Sequence, residues 1–367
     1  LIIFTTYFEL IYCIMKIMNS FFKNKKIFVT GHTGFKGNWL INLLLRYEAN
    51  VVGYSNKDEK IKYYKDFCET EKVKNYYNDI LNYNFLKKSL LKFNPEIIFH
   101  LAAQSIVSDS IIDPKKTFET NIIGTVNILE ISRELKNLKG IIIVTSDKCY
   151  ENNDKKKFFN ENDKLGGKDP YSGSKAAAEI VFKSYYETFY KFSKTGVASV
   201  RAGNVIGGGD FSKNRILPDC YRSLKNKKKL IIKNPSSTRP WQHVMDVISG
   251  YLILAENLCK NSKKYSGSWN FGPNTKNNLN VKSIVEYFYK EISTKKNAVI
   301  YSKKNKNIES KYLALNSFKA NKKLNWKPKY NINEALLKTA NWYKYYLKGD
   351  KNIREVFRKQ IIEYENL

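Results

Sequence analysis

The chain has 367 residues, 43% of them apolar, and carries a formal net charge of +30. Such a length buries a large core, as one large domain or two coupled ones, and that apolar share excludes a disordered or fibrous chain. The 64 Lys and Arg residues are scattered, with short clusters at 23–26, 155–157 and 227–229 and no basic tail, which reads as solvated surface and not as a nucleic-acid or membrane face.

Residues 1–17 are apolar but include Glu9, lack a basic leader and a small-residue cleavage site, and are too short to span a bilayer. They are expected to be an upstream extension with Met18 as the natural start; a short interfacial helix is the alternative. A buried strand is predicted over 25–30, its crossover helix over 35–47 and a second strand over 50–55. A short third strand over 75–80, a helix over 83–93 and an apolar strand over 96–101 follow. Asp113 and Pro114 read as cap and first-turn residue of a helix. The Ile/Val run at 140–144 suits a strand covered on both faces. Asp169-Pro170 repeats the cap-plus-proline start, and 197–205 supplies another strand. Alternation of this kind implies an α/β fold, a Rossmann-type doubly wound parallel sheet with right-handed crossovers. Beyond 206 the glycines at 207–209 and Pro218, Pro235 and Pro240 break the pattern. Helices return over 244–259 and 281–292 and from Ile332 onward. The expected domains are a nucleotide-binding unit over 18–206 that also receives 241–268, and a smaller substrate-binding region over 207–240 and 269–345. A helical tail over 346–367 completes the chain.

Cys13, Cys68, Cys149, Cys220 and Cys259 are widely spaced and form no CxxC pair, which points to reduced thiols in a cytoplasmic setting. His32, His100 and His243 are too few and too separated for a metal centre, so none is expected.

Chemistry is concentrated in three places. Gly31, Gly34 and Gly37 form a GxxGxxG turn between a strand and a helix, where backbone N–H groups can approach a pyrophosphate at the positive helix end. No acidic residue follows the second strand, in Gly53-Tyr54-Ser55-Asn56-Lys57, to grip an adenosine ribose. Lys57 or Lys36 could instead meet a 2′-phosphate, so spacing alone leaves NAD against NADP open. Ser146-Asp147-Lys148 stands at the carboxyl end of a predicted internal strand, where open α/β sheets place ligands. A hydroxyl, a carboxylate and an ammonium there can exchange protons with a substrate hydroxyl. Tyr171 and Lys175, one helical turn apart, put a phenol and an ammonium on one face, and that ammonium can lower the phenol pKa from about 10.

The stretches Val29-Thr30-Gly31-His32-Thr33-Gly34-Phe35-Lys36-Gly37, His100-Leu101-Ala102-Ala103-Gln104, Thr145-Ser146-Asp147-Lys148-Cys149-Tyr150, Asp169-Pro170-Tyr171-Ser172, Arg201-Ala202-Gly203-Asn204 and Thr238-Arg239-Pro240-Trp241-Gln242-His243 carry a specific resemblance. From about Met18 onward the chain resembles the extended short-chain dehydrogenase/reductase family and, within its NAD-dependent epimerase/dehydratase group, the CDP-glucose 4,6-dehydratases. The family usually carries Thr where Ser146 stands, and the hydroxyl is retained. The resemblance implies a lyase that makes CDP-4-keto-6-deoxyglucose and water for deoxysugar and surface-polysaccharide synthesis. In it Tyr171 would take the proton of the carbon 4 hydroxyl, Lys175 would lower the tyrosine pKa, Ser146 would bond the carbon 4 oxygen and Asp147 would protonate the leaving carbon 6 hydroxyl. Lys148 stands where dTDP-glucose dehydratases place a glutamate base. It would either act as the neutral base for carbon 5, which requires a pKa lowered from about 10.4, or stabilise the enolate as a cation. The resemblance also implies NAD held by Gly31, Thr33, Gly34, Phe35, Lys36, Gly37, Asp79, Ile80, Leu101, Ala102 and Ala103 together with Tyr171 and Lys175. Substrate would lie on Gln104, Asn204, Arg215 and Arg239, with Asn121 as a structural bridge near Lys175. A homodimer or higher homo-oligomer paired through the helices after Pro114 and Pro170 is expected. The alternatives are a dehydratase or 4-epimerase for another nucleotide sugar, and a non-catalytic dinucleotide- or nucleic-acid-binding protein on the same fold. The Asp147-Lys148 pair favours dehydration, because epimerisation has no elimination step to serve.

Overall fold

The computed structural model describes residues 20–58, 60–153, 157–232, 234–273, 278–292, 299–301, 312–349 and 352–367; the predicted extension over 1–17 lies outside them. Seven parallel strands form the central sheet: β1 Lys26–Thr30, β2 Asn50–Ser55, β3 Lys74–Tyr77, β4 Ile97–His100, β5 Gly140–Val144, β6 Gly196–Arg201 and β7 Gly267–Asn270. Their order, β7-β6-β5-β4-β1-β2-β3, reverses direction between β1 and β4. At such a switch point the loops after the two strands part and leave a crevice.

Side-chain alternation explains why both faces of the sheet are covered. Ile27, Val29, Val51, Ile97, Phe99, Ile142, Ala198 and Val200 enter one core. Phe28, Val52, Ile98, Ile141, Ile143 and Val197 enter the other. The principal helices are α1 Phe35–Arg46, α2 Lys60–Phe67, α3 Tyr83–Phe93, α4 Gly124–Ser132, α5 Pro170–Tyr185, α6 Ile216–Lys225, α7 Val244–Lys260, α8 Val281–Ile292, α9 Ile332–Leu347 and α10 Ile353–Glu365. Helices α1 and α7 supply the first core, and α3, α4 and α5 the second. Asp113 and Asp169 cap as expected: each accepts a backbone N–H three residues on, from Lys116 and Ser172.

Three differences from the sequence expectation have local causes. Helix α2, Lys-Ile-Lys-Tyr-Tyr-Lys-Asp-Phe, was not predicted; only Tyr64 and Phe67 are buried, so its apolar face is narrow. The predicted strand over 197–205 is two pieces, because the chain turns at Asn204, whose φ is +48°, before Val205–Ile206 pairs with Gln242–His243. Strand β7 adds a seventh member to the sheet and runs across the predicted domain boundary at 268/269; it is a short edge strand, Gly-Ser-Trp-Asn, with no alternation to read. The C-terminal helices share the first core with the central sheet. The Trp39 and Phe357 rings meet tilted with centroids 4.2 Å apart, Arg46 pairs with Glu365 at 2.7 Å, and Trp39 Nε1 donates to Gly208 O at 2.9 Å.

The smaller region covers the carboxyl end of the sheet. Leu230–Ile232 pairs with Val299–Tyr301, and Thr238–Pro240 runs antiparallel to Asn278–Asn280, with Arg239 opposite Leu279. Trp241 Nε1 donates to Leu279 O at 3.0 Å and ties the two segments together.

Candidate active site

A cavity of about 760 Å³ opens at the switch point and runs from the glycine turn to the smaller region. Its floor is set by β1 and β4. Gly31 ends β1 with φ +70°, and a Cβ there would lie 2.7 Å from Ala102 N, so only glycine lets the two loops approach. A Cβ on Gly37 would come within 2.3 Å of Gly31 O, which fixes how closely α1 seats against the turn. Helix α1 begins at a glycine cap without a side-chain cap bond and without an acid in its first turn, so its N-terminal N–H groups and positive dipole face the cavity unopposed. These features fit the pyrophosphate of a dinucleotide.

Thr33 Oγ1 lies 3.0 Å from Ser55 Oγ, and both line the adenosine end with Asn56, Asp58 and Ile80. Lys57 does not line the cavity, whereas Asp58, three residues beyond β2, does. Lys36 is also placed differently from the 2′-phosphate alternative. It points to the chemical end of the cavity, where burial and the neighbouring Arg215 bring its ammonium down to about 7, with Asp147 acting in the opposite sense. The expected cofactor residues Gly31, Thr33, Gly34, Phe35, Lys36, Gly37, Ile80, Leu101, Ala102 and Ala103 all line the cavity. Asp79 does not; its carboxylate caps the N–H of Leu81 at 2.9 Å and its carbonyl accepts from Tyr54 Oη.

Ser146 leaves β5 and caps the short turn Asp147–Cys149. Its hydroxyl donates to Asp147 Oδ1 at 3.0 Å and accepts from Lys148 N at 3.2 Å. Asp147 is buried, and its Oδ2 has no hydrogen-bond partner among the described residues. A Cβ on Gly203 would fall 1.6 Å from that oxygen, so the carboxylate occupies the space a side chain would take. Burial pushes the Asp147 carboxyl upward, against Lys148, the Ser146 hydroxyl, Lys36 and Arg239. That is the direction a proton donor requires.

Helix α5 supplies Tyr171 and Lys175, both buried and both lining the cavity. The Tyr171 N–H donates to Ser110 Oγ at 3.1 Å. Lys175 Nζ donates to Val144 O at 3.1 Å, and burial lowers it to about 8 while Glu179 holds it up. The phenol of Tyr171 stands at about 12, pushed up by burial and opposed by its hydrogen bond with Ser146. The protein's own groups therefore leave the phenol above its ordinary value, contrary to the expectation that the lysine spacing alone would lower it.

Asn204, Arg215 and Arg239 line the substrate end. Arg215 pairs with Asp210 at 3.2 Å, and Asn204 Nδ2 is buried without a hydrogen-bond partner among the described residues. Gln104 is not among the lining residues: its side chain closes on its own loop, donating to Ile106 O at 2.8 Å and accepting from Ile106 N at 3.2 Å. Asn121 holds that loop, accepting from Gln104 N at 2.9 Å and donating to Gln104 O at 3.0 Å and to Ser174 Oγ at 2.8 Å, beside Lys175. Asp210, Gly203 and Glu179 were not singled out from sequence. Glu179 carries the one available signal, its i+4 spacing from Lys175.

The sequence profile of the family described as GDP-mannose 4,6 dehydratase matches residues 28–339. A CDP-glucose 4,6-dehydratase of Salmonella typhimurium is 38% identical over 340 residues, covering 91% of this chain and 94% of that protein. Among solved structures, an epimerase from Methanothermobacter thermautotrophicus superposes with a TM-score of 0.79 at 22% identity, over 93% of this chain and 97% of the other. A dTDP-glucose 4,6-dehydratase from Bacillus anthracis, determined in complex with NAD, gives a TM-score of 0.74 at 23% identity, over 89% and 99% of the two chains. At these identities the two structures speak for the fold.

Proposed function

The chain belongs to the nucleotide-sugar 4,6-dehydratase family, in its CDP-glucose branch, and from that premise we propose that it converts CDP-glucose to CDP-4-keto-6-deoxyglucose and water with NAD as a recycled cofactor. The observation that carries this reading is Asp147. Its carboxylate is buried, shifted toward the protonated form, and offers an unpartnered oxygen beside Ser146 on a turn that also bears Lys148. An epimerase has no elimination step for such a pair to serve, so this observation favours dehydration over the fold's other chemistry.

NAD, when bound along the glycine turn and α1, supplies a reversible store for one hydride and the positive charge of its oxidised nicotinamide. The protein's part is then as follows. Tyr171 accepts the proton of the carbon 4 hydroxyl, and Ser146 bonds the same oxygen and orients the phenol. Lys175, kept cationic by Glu179, favours the phenolate. The carbon 4 ketone acidifies carbon 5. Lys148 either takes that proton as a neutral amine or, as a cation, stabilises the enolate while water takes the proton, and Asp147 gives its proton to the carbon 6 hydroxyl as it leaves as water. Asn204, Arg215 and Arg239 hold the diphosphate and nucleotide; the planar fork of arginine suits two phosphate oxygens at once.

Two further assignments follow as part of the same reading. Phe118, Ile123, Ile180 and Phe192 are exposed on the helices after Pro114 and Pro170 and the turn beyond, Phe192 at 84%, which supports a homodimer or higher homo-oligomer paired through these faces. The four described cysteines are free, and no helix among the described residues is long and apolar enough to cross a membrane, which supports work in the cytoplasm.

A panel of CDP-, dTDP-, GDP- and UDP-glucose assayed for a 4-keto product tests the proposal. The expected result is turnover of CDP-glucose well above the others. Preferred turnover of another nucleotide reassigns the substrate, and a product of unchanged mass reassigns the reaction to epimerisation.

A further inference from the structure

The turn carrying Ser146, Asp147 and Lys148 is tied at both ends to a single buried ion pair. Glu179 lies one helical turn after Lys175 on α5, and Arg201 closes β6. Arg201 Nη2 meets Glu179 Oε2 at 2.6 Å, with the two residues 2% and 1% exposed. At the leading end of the turn, Thr145 donates its hydroxyl to Glu179 Oε1. At the trailing end, Arg201 Nη1 donates to Tyr150 Oη at 2.7 Å, and the guanidinium sits 4.9 Å from the Tyr150 ring centroid. Tyr150 donates onward to Asn270 Oδ1 at 2.7 Å, on β7. Ser199 and Ser268 donate to Glu179 Oε2 at 2.8 and 3.2 Å, so both carboxylate oxygens are engaged. Neither Glu179 nor Arg201 lines the cavity.

Stability alone is a weak account of this pair, since taking two charges out of water often costs as much as their attraction returns. What the pair does uniquely is connect four things: the residue before the turn, the residue after it, the edge strand of the sheet and the helix that presents Tyr171 and Lys175. We propose that Glu179 and Arg201 form a positioning clamp that fixes the 146–149 turn against α5, so that Asp147 and Lys148 meet a sugar already held by Ser146 and Tyr171. The same carboxylate sustains the charge of Lys175 from one turn away. The proposal rests on the dehydratase reading for its effect on turnover. Its geometric half, an immobile turn, stands apart from any substrate.

Cys149 reports on that half, because it is fully buried within the turn, as Cys220 is in α6 far along the chain. The experiment compares Thr145→Val, Thr145→Ser and wild-type holoenzyme by steady-state kinetics on CDP-glucose and by peptide-resolved alkylation of both cysteines. Thr145→Val is expected to lower kcat by about ten- to a hundredfold, the usual cost of small misplacement, with KM changed by less than about twofold. Alkylation of Cys149 should rise while Cys220 stays protected, and Thr145→Ser should restore kcat and protection together. Unchanged kcat and Cys149 protection in Thr145→Val overturn the clamp, and so does parallel exposure of Cys149 and Cys220, which would mark a general loss of structure. If Thr145→Val does not fold, Tyr150→Phe breaks the other end and is read by the same criteria. Wild-type enzyme that turns over no CDP-glucose refutes the functional proposal alone, and the cysteine comparison still decides the clamp.

Discussion

Asp147 is the residue on which the assignment of roles turns. In the proposed reaction, oxidation at carbon 4 calls on Ser146, Tyr171 and Lys175, whereas departure of the carbon 6 hydroxyl calls on a proton assigned to Asp147. Asp147→Asn keeps the size of the side chain above Gly203 and removes the acid. In a single turnover it should still form NADH and a 4-keto hexose, yet release dehydrated product about 10²–10⁴-fold more slowly, the range for losing a general acid. Rapid-mixing absorbance with quenched product analysis separates the two steps, and an enzyme that forms no NADH would mean that Asp147 organises the first step instead. The placement of Ser146, Asp147 and Lys148 at a strand end, and of Tyr171 and Lys175 in the first turns of a capped helix, was legible in sequence. Less legible was where side chains turn once the chain has folded. Gln104 closes on Ile106, Lys36 lies among Arg215, Asp147, Lys175 and Asp210, and Asp79 caps Leu81. The two residue types that invite misreading are long flexible ones and loop acids, whose direction is set by tertiary neighbours.

Strands and helices with clear punctuation were read from sequence to the residue: Asn50–Ser55, Tyr83–Phe93, Gly140–Val144 and Val281–Ile292. Elements without a full period, such as α2 and the four-residue β7, were not, since each gets its place from what it packs against. The final helix α10 illustrates the same dependence. It docks on α7 through Asp246, whose Oδ1 accepts from Tyr364 Oη at 2.9 Å and from Lys329 N at 2.7 Å. Burial raises that carboxyl from 3.8 to about 7, in spite of those donors and of Lys329. The folded protein therefore binds this proton more tightly than the unfolded chain does. Its cost is absent below pH 4, grows as pH rises and is fully present above about pH 7. Asp246→Asn keeps the accepting oxygen and cannot ionise. Its thermal midpoint relative to wild type should therefore improve between pH 5.5 and pH 8.5, and scanning calorimetry at the two pH values checks this. A difference that does not change with pH would remove Asp246 from the docking account.

Taken whole, the molecule is one sheet whose switch point opens a cavity, with a smaller region and the C-terminal helices closing over its carboxyl edge. The parallel order around β1 and β4 determines where a dinucleotide fits, and the loop after β5 and the start of α5 line the part of the same cavity where the proposed reaction places the sugar. The net charge of +30, which by itself suggested nothing more than a solvated surface, also gives an anionic nucleotide sugar a favourable field on approach. In the proposed reaction a hydride leaves carbon 4 of the sugar, is stored, and returns to carbon 6 of the same molecule once water has departed. The most direct test of that transfer is turnover of CDP-glucose deuterated at carbon 4, with the product read by mass spectrometry and NMR. The account predicts a product lighter than substrate by one water, with deuterium at carbon 6 and no net NADH. A product of unchanged mass, or deuterium accumulating on the cofactor, would contradict it.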